Sequence, residues 1–540
     1  MIGTANGCVW LLVFLGYLTL WAALVSAQKT AWEQYQRAGV QAYKEGLYAE
    51  AEQQLTAALE EAERLGLPDR NLIVPLATLT LVYSAQNQPE KAEPLYQRLL
   101  ILRETALGPD HLEVAACLDN LAEVYEAQGQ YTRAEPLYQR ALSIREKVLK
   151  PTHPGIASSL DNLAGLYEAE GQHSQAEPLY QRALMLREQA LKPDHPSIAT
   201  SLYNLAELYR AQGRYADAEA LHQRALSIRE QALGPQHLHV ATSLNSLALV
   251  YAAQGQYAQA EPLYQRAAAV AEQVLGPDHP DMATMLTNLA DAYRAQGQYG
   301  QAEPLYQQAL SIQERALGPE HPDVATSRYN LAGLYAAQGQ YGKAEPLYLQ
   351  ALAVHEKTLG PDHADTAADL SVLAEIYRLQ SRYDKAEPLY LRAVATWQKT
   401  LGSHYADLAT CLNNLAELYR VQGHYTKAEP LALQALAMRE HLFGPDHADV
   451  AASLNTLALL YVAQAQYSKA EPLYARAVAT GEQTLGPDHA GMVVLLENYA
   501  ALLRQTHHGT RAFTMQARAK AIRAHYAQQS SPQFGNANTH

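Results

Sequence analysis

Cysteine is nearly absent from this chain: three residues in 540, Cys8, Cys117 and Cys411. So few exclude a disulfide-stapled scaffold and any four-cysteine zinc site. Charge is also thin, with Asp, Glu, Lys and Arg making up 18% of the residues against about 25% in ordinary domains. The net charge of −14 is spread along the chain without a run of five or six like charges. Binding to a phosphate backbone needs clustered Lys and Arg, so nucleic acid is not an expected partner. The P-loop, HExxH, GxSxG and GxGxxG signatures are missing as well, which points away from the common catalytic classes and from their cofactors. A hydrophobic share of 48% nevertheless marks a folded protein.

A long apolar run without a charge spans Cys8 to Ala27. Such a segment must enter a membrane, at least transiently. Val25, Ser26 and Ala27 place small residues where a signal peptidase reads, so cleavage before Gln28 and an exported, periplasmic or secreted chain are expected. Residues 8–27 are also long enough to remain as an N-terminal anchor, which would be the only membrane contact. Cys8 precedes the apolar run and is not placed as a lipoprotein cysteine.

What the sequence has in abundance is itself. Ala-Glu-Pro-Leu-Tyr, or a near copy, puts its third residue at Pro94, Pro136, Pro178, Ala220, Pro262, Pro304, Pro346, Pro388, Pro430 and Pro472, always 42 residues apart. Ten copies in register make a quasi-one-dimensional stack. In the copy from Ser159 to Thr200, Leu160, Leu163, Ala164 and Tyr167 share one face of a first helix. Gly171 then breaks the pattern, and Ala176, Tyr180, Ala183, Leu184 and Leu191 form the apolar stripe of a second helix. Equivalents of Gly171 recur at Gly129, Gly213, Gly255, Gly297, Gly339 and Gly423, with Asn87 in an earlier copy, as expected of residues that close a helix in the left-handed conformation. Ser381 and Ala465 break that rule, and backbone strain is expected there.

Between copies, Leu275 to Pro280 reads Leu-Gly-Pro-Asp-His-Pro, a stop, a turn and a Pro suited to the first helical position. The Pro of the repeated string is harder to place, and a second helix starting near Gln175 would keep Pro178 within its first turn. Weaker copies flank the array. The expected organisation is an atypical repeat over 28–70, ten repeats over 71–490, a degenerate capping repeat over 491–528 and a disordered tail over 529–540, about twelve antiparallel helix pairs in all.

Alternating Leu, Ala/Gly and Tyr in the first helix, followed by Ala-x3-Tyr-x2-Ala in the second, resembles the tetratricopeptide repeat, whose usual period is 34 residues. The eight additional residues, the AEPLY-x-RAL core and the Leu-Gly-Pro-Asp-His-Pro link are similar to the 42-residue form of kinesin light chains and related bacterial proteins. The long heptad segment of a light chain is not seen, so the resemblance is to the repeat type. It implies an all-α, right-handed superhelical solenoid whose first helices line a groove that holds extended peptides, without catalysis. A non-enzymatic adaptor for a protein or peptide partner is therefore expected. A self-associating envelope scaffold is the alternative, and a regulatory subunit of a separate enzyme a further one.

Within the first helix one position carries Asn120, Asn162, Asn204, Asn288, Asn330 and Asn414, with Asn498 in the last copy. Asn is a poor helix-interior residue, so its recurrence asks for a role. The resemblance implies that these amides hydrogen-bond the backbone of a bound peptide; a purely packing role between helices is the other reading. Six residues on stand Arg210, Arg294, Arg378 and Arg420, preceded in earlier copies by Glu126 and Glu168, with Asp119, Glu123 and Asp161 adding to the acidic end. A groove more basic beyond Tyr203 would favour acidic ligands. Tyr203 and Tyr329 share this face as candidate anchors. One His per link, from His111 to His489, is too widely spaced to converge on a metal and is expected to bond the link backbone. Cys117 and Cys411 stand at the same place seven copies apart, too far to bridge, and are expected to be small buried residues.

Overall fold

The computed structural model describes residues 31–86, 88–399, 405–489 and 491–529. The segment 1–27, Asn87 and the tail beyond Gln529 lie outside the described residues. Every regular element among the described residues is helical, and the long helices fall into twelve consecutive pairs, from 31–44 with Tyr48–Arg64 to Met492–Gln505 with Gly509–Gln529. The chain divides into two compact units, with the boundary between Ala260 and Glu261.

In the first unit, the helix Pro196–Ala211 illustrates how the repeat folds. His195 caps it in extended conformation, its Nδ1 accepting from the backbone N–H of Ser197, and Pro196 takes the first helical position. Ile198, Ala199, Leu202, Leu205, Ala206 and Tyr209 are buried along one face. Against them the following helix, Tyr215–Leu233, buries Ala218, Ala225 and Ile228. Each large apolar side chain removed from water in this way contributes about 1.5–3 kcal/mol. Leu191, expected in the preceding apolar stripe, lies just past the end of its helix (His173–Ala190) and packs, with Leu184, on the Ile198 cluster of the next repeat. The link residue thus fastens one repeat to the next.

The same helix corrects the expected start. It opens at His173, two residues before Gln175, so Pro178 is its sixth residue. The interior Pro is tolerated because Pro178 and Ser174, whose carbonyl it leaves without an intrahelical donor, are both exposed to water.

The junctions inside each pair follow one scheme. After Pro196–Ala211, Gly213 takes φ +73°, its N–H reaches the Arg210 carbonyl, and the Arg214 N–H reaches the Tyr209 carbonyl at 2.8 Å. This double closure needs a left-handed residue. In the second unit Ser381 and Ala465 occupy that position with φ 60° and 55° and make the same bonds. The strain expected from the sequence is therefore present, and His507, with φ 61°, adds a third instance.

In the second unit Pro322–Ala337 pairs with Tyr341–Thr358, joined through buried Ala325, Ala351 and Val354. Here and in the first unit, first helices of successive repeats also touch, as Leu112–Ala127 touches Pro154–Ala169 and Tyr405–Val421 touches Ala448–Ala463. A second stitch crosses between repeats. The first-helix Tyr hydroxyl donates to the Glu of the preceding AEPLY string: Tyr167 to Glu135 at 2.7 Å in the first unit, Tyr377 to Glu345 at 3.1 Å and Tyr419 to Glu387 at 2.8 Å in the second. That bond accounts for the constancy of the Glu.

Candidate functional site

The recurrent Asn residues all lie on first helices. Asn120, Asn162 and Asn204 in the first unit, and Asn288, Asn330 and Asn414 in the second, are all half-buried. Asn120 lines a small cleft of about 180 Å³ with Ser84, Gln88 and Glu123. Asn288 and Asn330 open together on a larger cleft of about 300 Å³, shared with Thr284, Thr287, Gln313 and Ser327. Asn498 donates to Asn455 Oδ1 of the preceding first helix at 2.9 Å. There the amide fastens repeat to repeat.

The arginines of this face are each held by a carboxylate three residues earlier on the same helix. Arg210 lies 2.8 Å from Glu207, Arg294 3.1 Å from Asp291, Arg378 2.6 Å from Glu375 and Arg420 2.6 Å from Glu417. Second-helix tyrosines complete the clusters: Tyr390 donates to Glu375 at 2.6 Å, and Arg294 Nε donates to Tyr306 at 3.1 Å. The bonds to Glu375 and Glu417 hold the Arg378 and Arg420 guanidinium groups above their ordinary range. In the first unit burial works against the charge of Glu207, but the His222 and Arg210 contacts outweigh it and hold the carboxyl down at about 2. The row is thus a set of neutralised pairs, which removes the excess positive charge expected beyond Tyr203.

Glu126 and Glu168 have no such arginine and accept from Tyr138 at 3.0 Å and Tyr180 at 2.9 Å. Desolvation, followed by the charges of Asp119 and Glu126, pushes the Glu123 carboxyl up, and desolvation does the same to Glu168. Asp119 and Asp161 do not contribute free negative charge, because each is paired to a second-helix arginine, Arg145 and Arg187.

Tyr203 and Tyr329 are partly built into the fold. The Tyr203 ring meets His222 edge-on at 5.4 Å, carries the Arg229 guanidinium at 4.9 Å, and its hydroxyl lies 3.1 Å from Ser246 Oγ. Tyr329 meets Tyr348 edge-on at 5.2 Å, and burial pushes its hydroxyl up to about 12.

A row of buried second-helix cations escaped the sequence reading. Arg187, Arg229 and Arg439 are almost fully buried, and each bonds a Ser 14 residues on, Ser201, Ser243 and Ser453. The signal was available as Arg103, Arg145, Arg187 and Arg229 at the repeat interval, masked by the assumption that the stripe is apolar.

The link histidines do bond their own backbone. His111, His153, His195, His237, His279, His321, His363, His447 and His489 each accept, through Nδ1, from the N–H two residues on. No group of three or more His, Cys, Asp or Glu is placed to hold a metal among the described residues. Cys117 and Cys411 are free and buried, with burial pushing their thiols up to about 11 and about 12. No described helix is long and apolar enough to cross a membrane.

Comparison with known proteins agrees with the repeat geometry. No curated protein sequence matches the chain. Among solved structures it is similar to the nearly identical TPR-like repeats of a kinesin light chain candidate from Podosopora anserina, at 30% identity over 38% of this chain and 98% of that one, with a TM-score of 0.35. BtubC (BKLC) from P. vanneervenii aligns at 23% identity over 46% of this chain and 91% of that one, TM-score 0.36. A Rap protein complexed with competence and sporulation factor aligns at 16% identity over 70% of this chain and 98% of that one, TM-score 0.44. The tetratricopeptide repeat family model matches in overlapping segments from 30–105 through 449–524. Because that match extends over most of the chain and coincides with the helix pairs, which recur every 42 residues, the protein belongs to the tetratricopeptide repeat family.

Proposed function

We propose that the protein is a non-enzymatic adaptor that holds an extended segment of a partner protein against its first helices. Arrays of this kind present long surfaces to their ligands, and the finer assignment must come from the side chains. The observation that carries the reading is the placement of Asn288 and Asn330 on one open, polar cleft. An extended peptide exposes N–H and C=O groups, and Asn can accept from the first and donate to the second. The neutralised Arg–carboxylate pairs alongside supply hydrogen bonding without demanding one charge sign from the ligand. Affinity is expected to be modest, because a disordered segment loses entropy when held straight.

The test is capture of clients from an envelope extract with the full chain and with an Asn288→Ala/Asn330→Ala double variant of unchanged helicity. A discrete client whose affinity falls by roughly 1 to 3 kcal/mol in the variant supports the reading. Recovery of the chain alone would instead favour a self-associating scaffold, and a client indifferent to both Asn would move recognition to another face. Export, with cleavage before Gln28, accompanies this proposal; N-terminal sequencing that begins at Met1 or Ile2 on membrane-bound protein would replace it by an anchor.

A further inference from the structure

The cleft beside Asn288 and Asn330 occupies the place that a guanidinium group fills elsewhere in the same chain. Arg439 sends Nη1 to Ser453 Oγ at 2.9 Å and to the Asp449 carbonyl at 3.0 Å, and Nη2 to Thr410 Oγ1 at 2.9 Å. In the first unit Arg187 bonds Ser201 and, at 3.5 Å, Ser158, which correspond to Ser453 and Thr410, and it bonds Asp161 as well. Shifted together to the repeat of Gln313, the two sets become Ser327, the backbone of Asp323, Thr287 and Thr284. All four residues line the cleft.

Gln313 is too short to fill this shell. Its Oε1 accepts from Ser327 at 2.5 Å, and a space of about 300 Å³ remains open beyond it. Where Arg187 has Asp161, this repeat has Thr287, yet a carboxylate is not required. Arg229 and Arg439 bond only hydroxyl and carbonyl groups, at 2.6 to 3.3 Å. The lining contains one carboxylate, Asp323, and no Lys, Arg or His, so its charge favours a cation.

We propose that this cleft binds a guanidinium group, presented as an arginine side chain by the extended partner. A planar fork of five N–H donors matches acceptors arranged around it on two first helices, whereas an ammonium has three donors on a point charge. The assignment rests on the adaptor reading and names one residue of the ligand, of opposite sign to the acidic ligand that the Arg row suggested.

The full chain, with Thr methyl groups labelled, is titrated with N-acetyl-arginine methylamide and followed by NMR. Saturable shifts at Thr284 and Thr287 are expected, with a dissociation constant on the order of millimolar for so small a ligand. The neutral isostere N-acetyl-citrulline methylamide and the lysine analogue should bind about tenfold more weakly or not at all. Gln313→Arg should abolish the shifts by filling the cleft from within while leaving helicity unchanged, and Thr287→Val should weaken them several-fold. Absence of saturable shifts, equal binding of the citrulline probe, or binding that persists in folded Gln313→Arg overturns the site. Client capture that depends on Asn288 and Asn330 but survives Gln313→Arg also overturns the arginine assignment and leaves the adaptor reading standing. Probe binding without any Asn-dependent client does the reverse.

Discussion

His355 Nδ1 lies 2.7 Å from Asp369 Oδ2, and both side chains are almost fully buried. This pair stands where other repeats place a buried Arg against a Ser, so a permanent charge is replaced by a titratable one. The bond to Asp369 holds His355 above the ordinary imidazole range, and burial pushes the Asp369 carboxyl up in spite of that bond. Asp365 and Glu356 add negative charge nearby. Both shifts mean that the folded state binds protons more tightly than the unfolded one. The histidine contribution is complete below the unfolded-state value, about 6.5, and is lost as pH rises through the higher folded-state value. The protection factors of the helix Tyr341–Thr358, exchange rates taken relative to the intrinsic base-catalysed rate at each pH, should therefore fall between neutral and alkaline pH, and His355→Gln should flatten that dependence. An unchanged profile in the variant would refute the assignment.

Ala465 pays a left-handed conformation that glycine adopts freely, and the equivalent glycines have nothing within 4 Å of where a Cβ would stand. Only the backbone angle selects glycine here. Ala465→Gly should stabilise the junction by about 1 kcal/mol, read as a raised urea midpoint of the full chain. A lowered midpoint would show that the alanine methyl makes a contact of value.

His195→Ala removes the cap on Pro196–Ala211 and should cost about 1 kcal/mol. His195→Asp, which can still accept from the Ser197 N–H, should recover most of it. Equal loss in both variants would assign the effect to ring packing instead.

Tyr209 donates to Glu177 at 3.1 Å and accepts from Gln181 at 3.1 Å across a repeat boundary, while Arg214 covers its ring. Tyr209→Phe keeps the ring and loses both bonds, an expected cost of about 1 kcal/mol. Hydrogen exchange should rise most in the two helices flanking that boundary; a uniform rise along the first unit would argue against a local stitch.

Much of the fold is legible because period and phase are repeated. The helix pairs, the histidine caps and the strained turns at Ser381 and Ala465 all follow from comparing equal positions. The charge of the site is not read so simply. Glu207 and Arg210 are three apart on one helix, a spacing that pairs them, but taking the arginines singly concealed it. Arg187 and Arg439 break the expectation that a stripe facing inward is apolar. Their burial is intelligible only once Ser201 and Ser453, supplied by the next first helix, are seen beside them. The start of the second helix at His173 depends on water reaching Ser174, which no local pattern encodes.

The tyrosine-to-glutamate stitch has a consequence for how such a chain changes length. Tyr167 reaches Glu135, and Tyr377 reaches Glu345, over the same 32 residues. Inserting or excising one whole period returns a tyrosine opposite a glutamate at the new joint, whereas any other length change leaves both without their partners. Genetic gain and loss are thereby filtered into steps of 42, and a protein made this way can lengthen its surface by copying what it already has, with no new interface to invent.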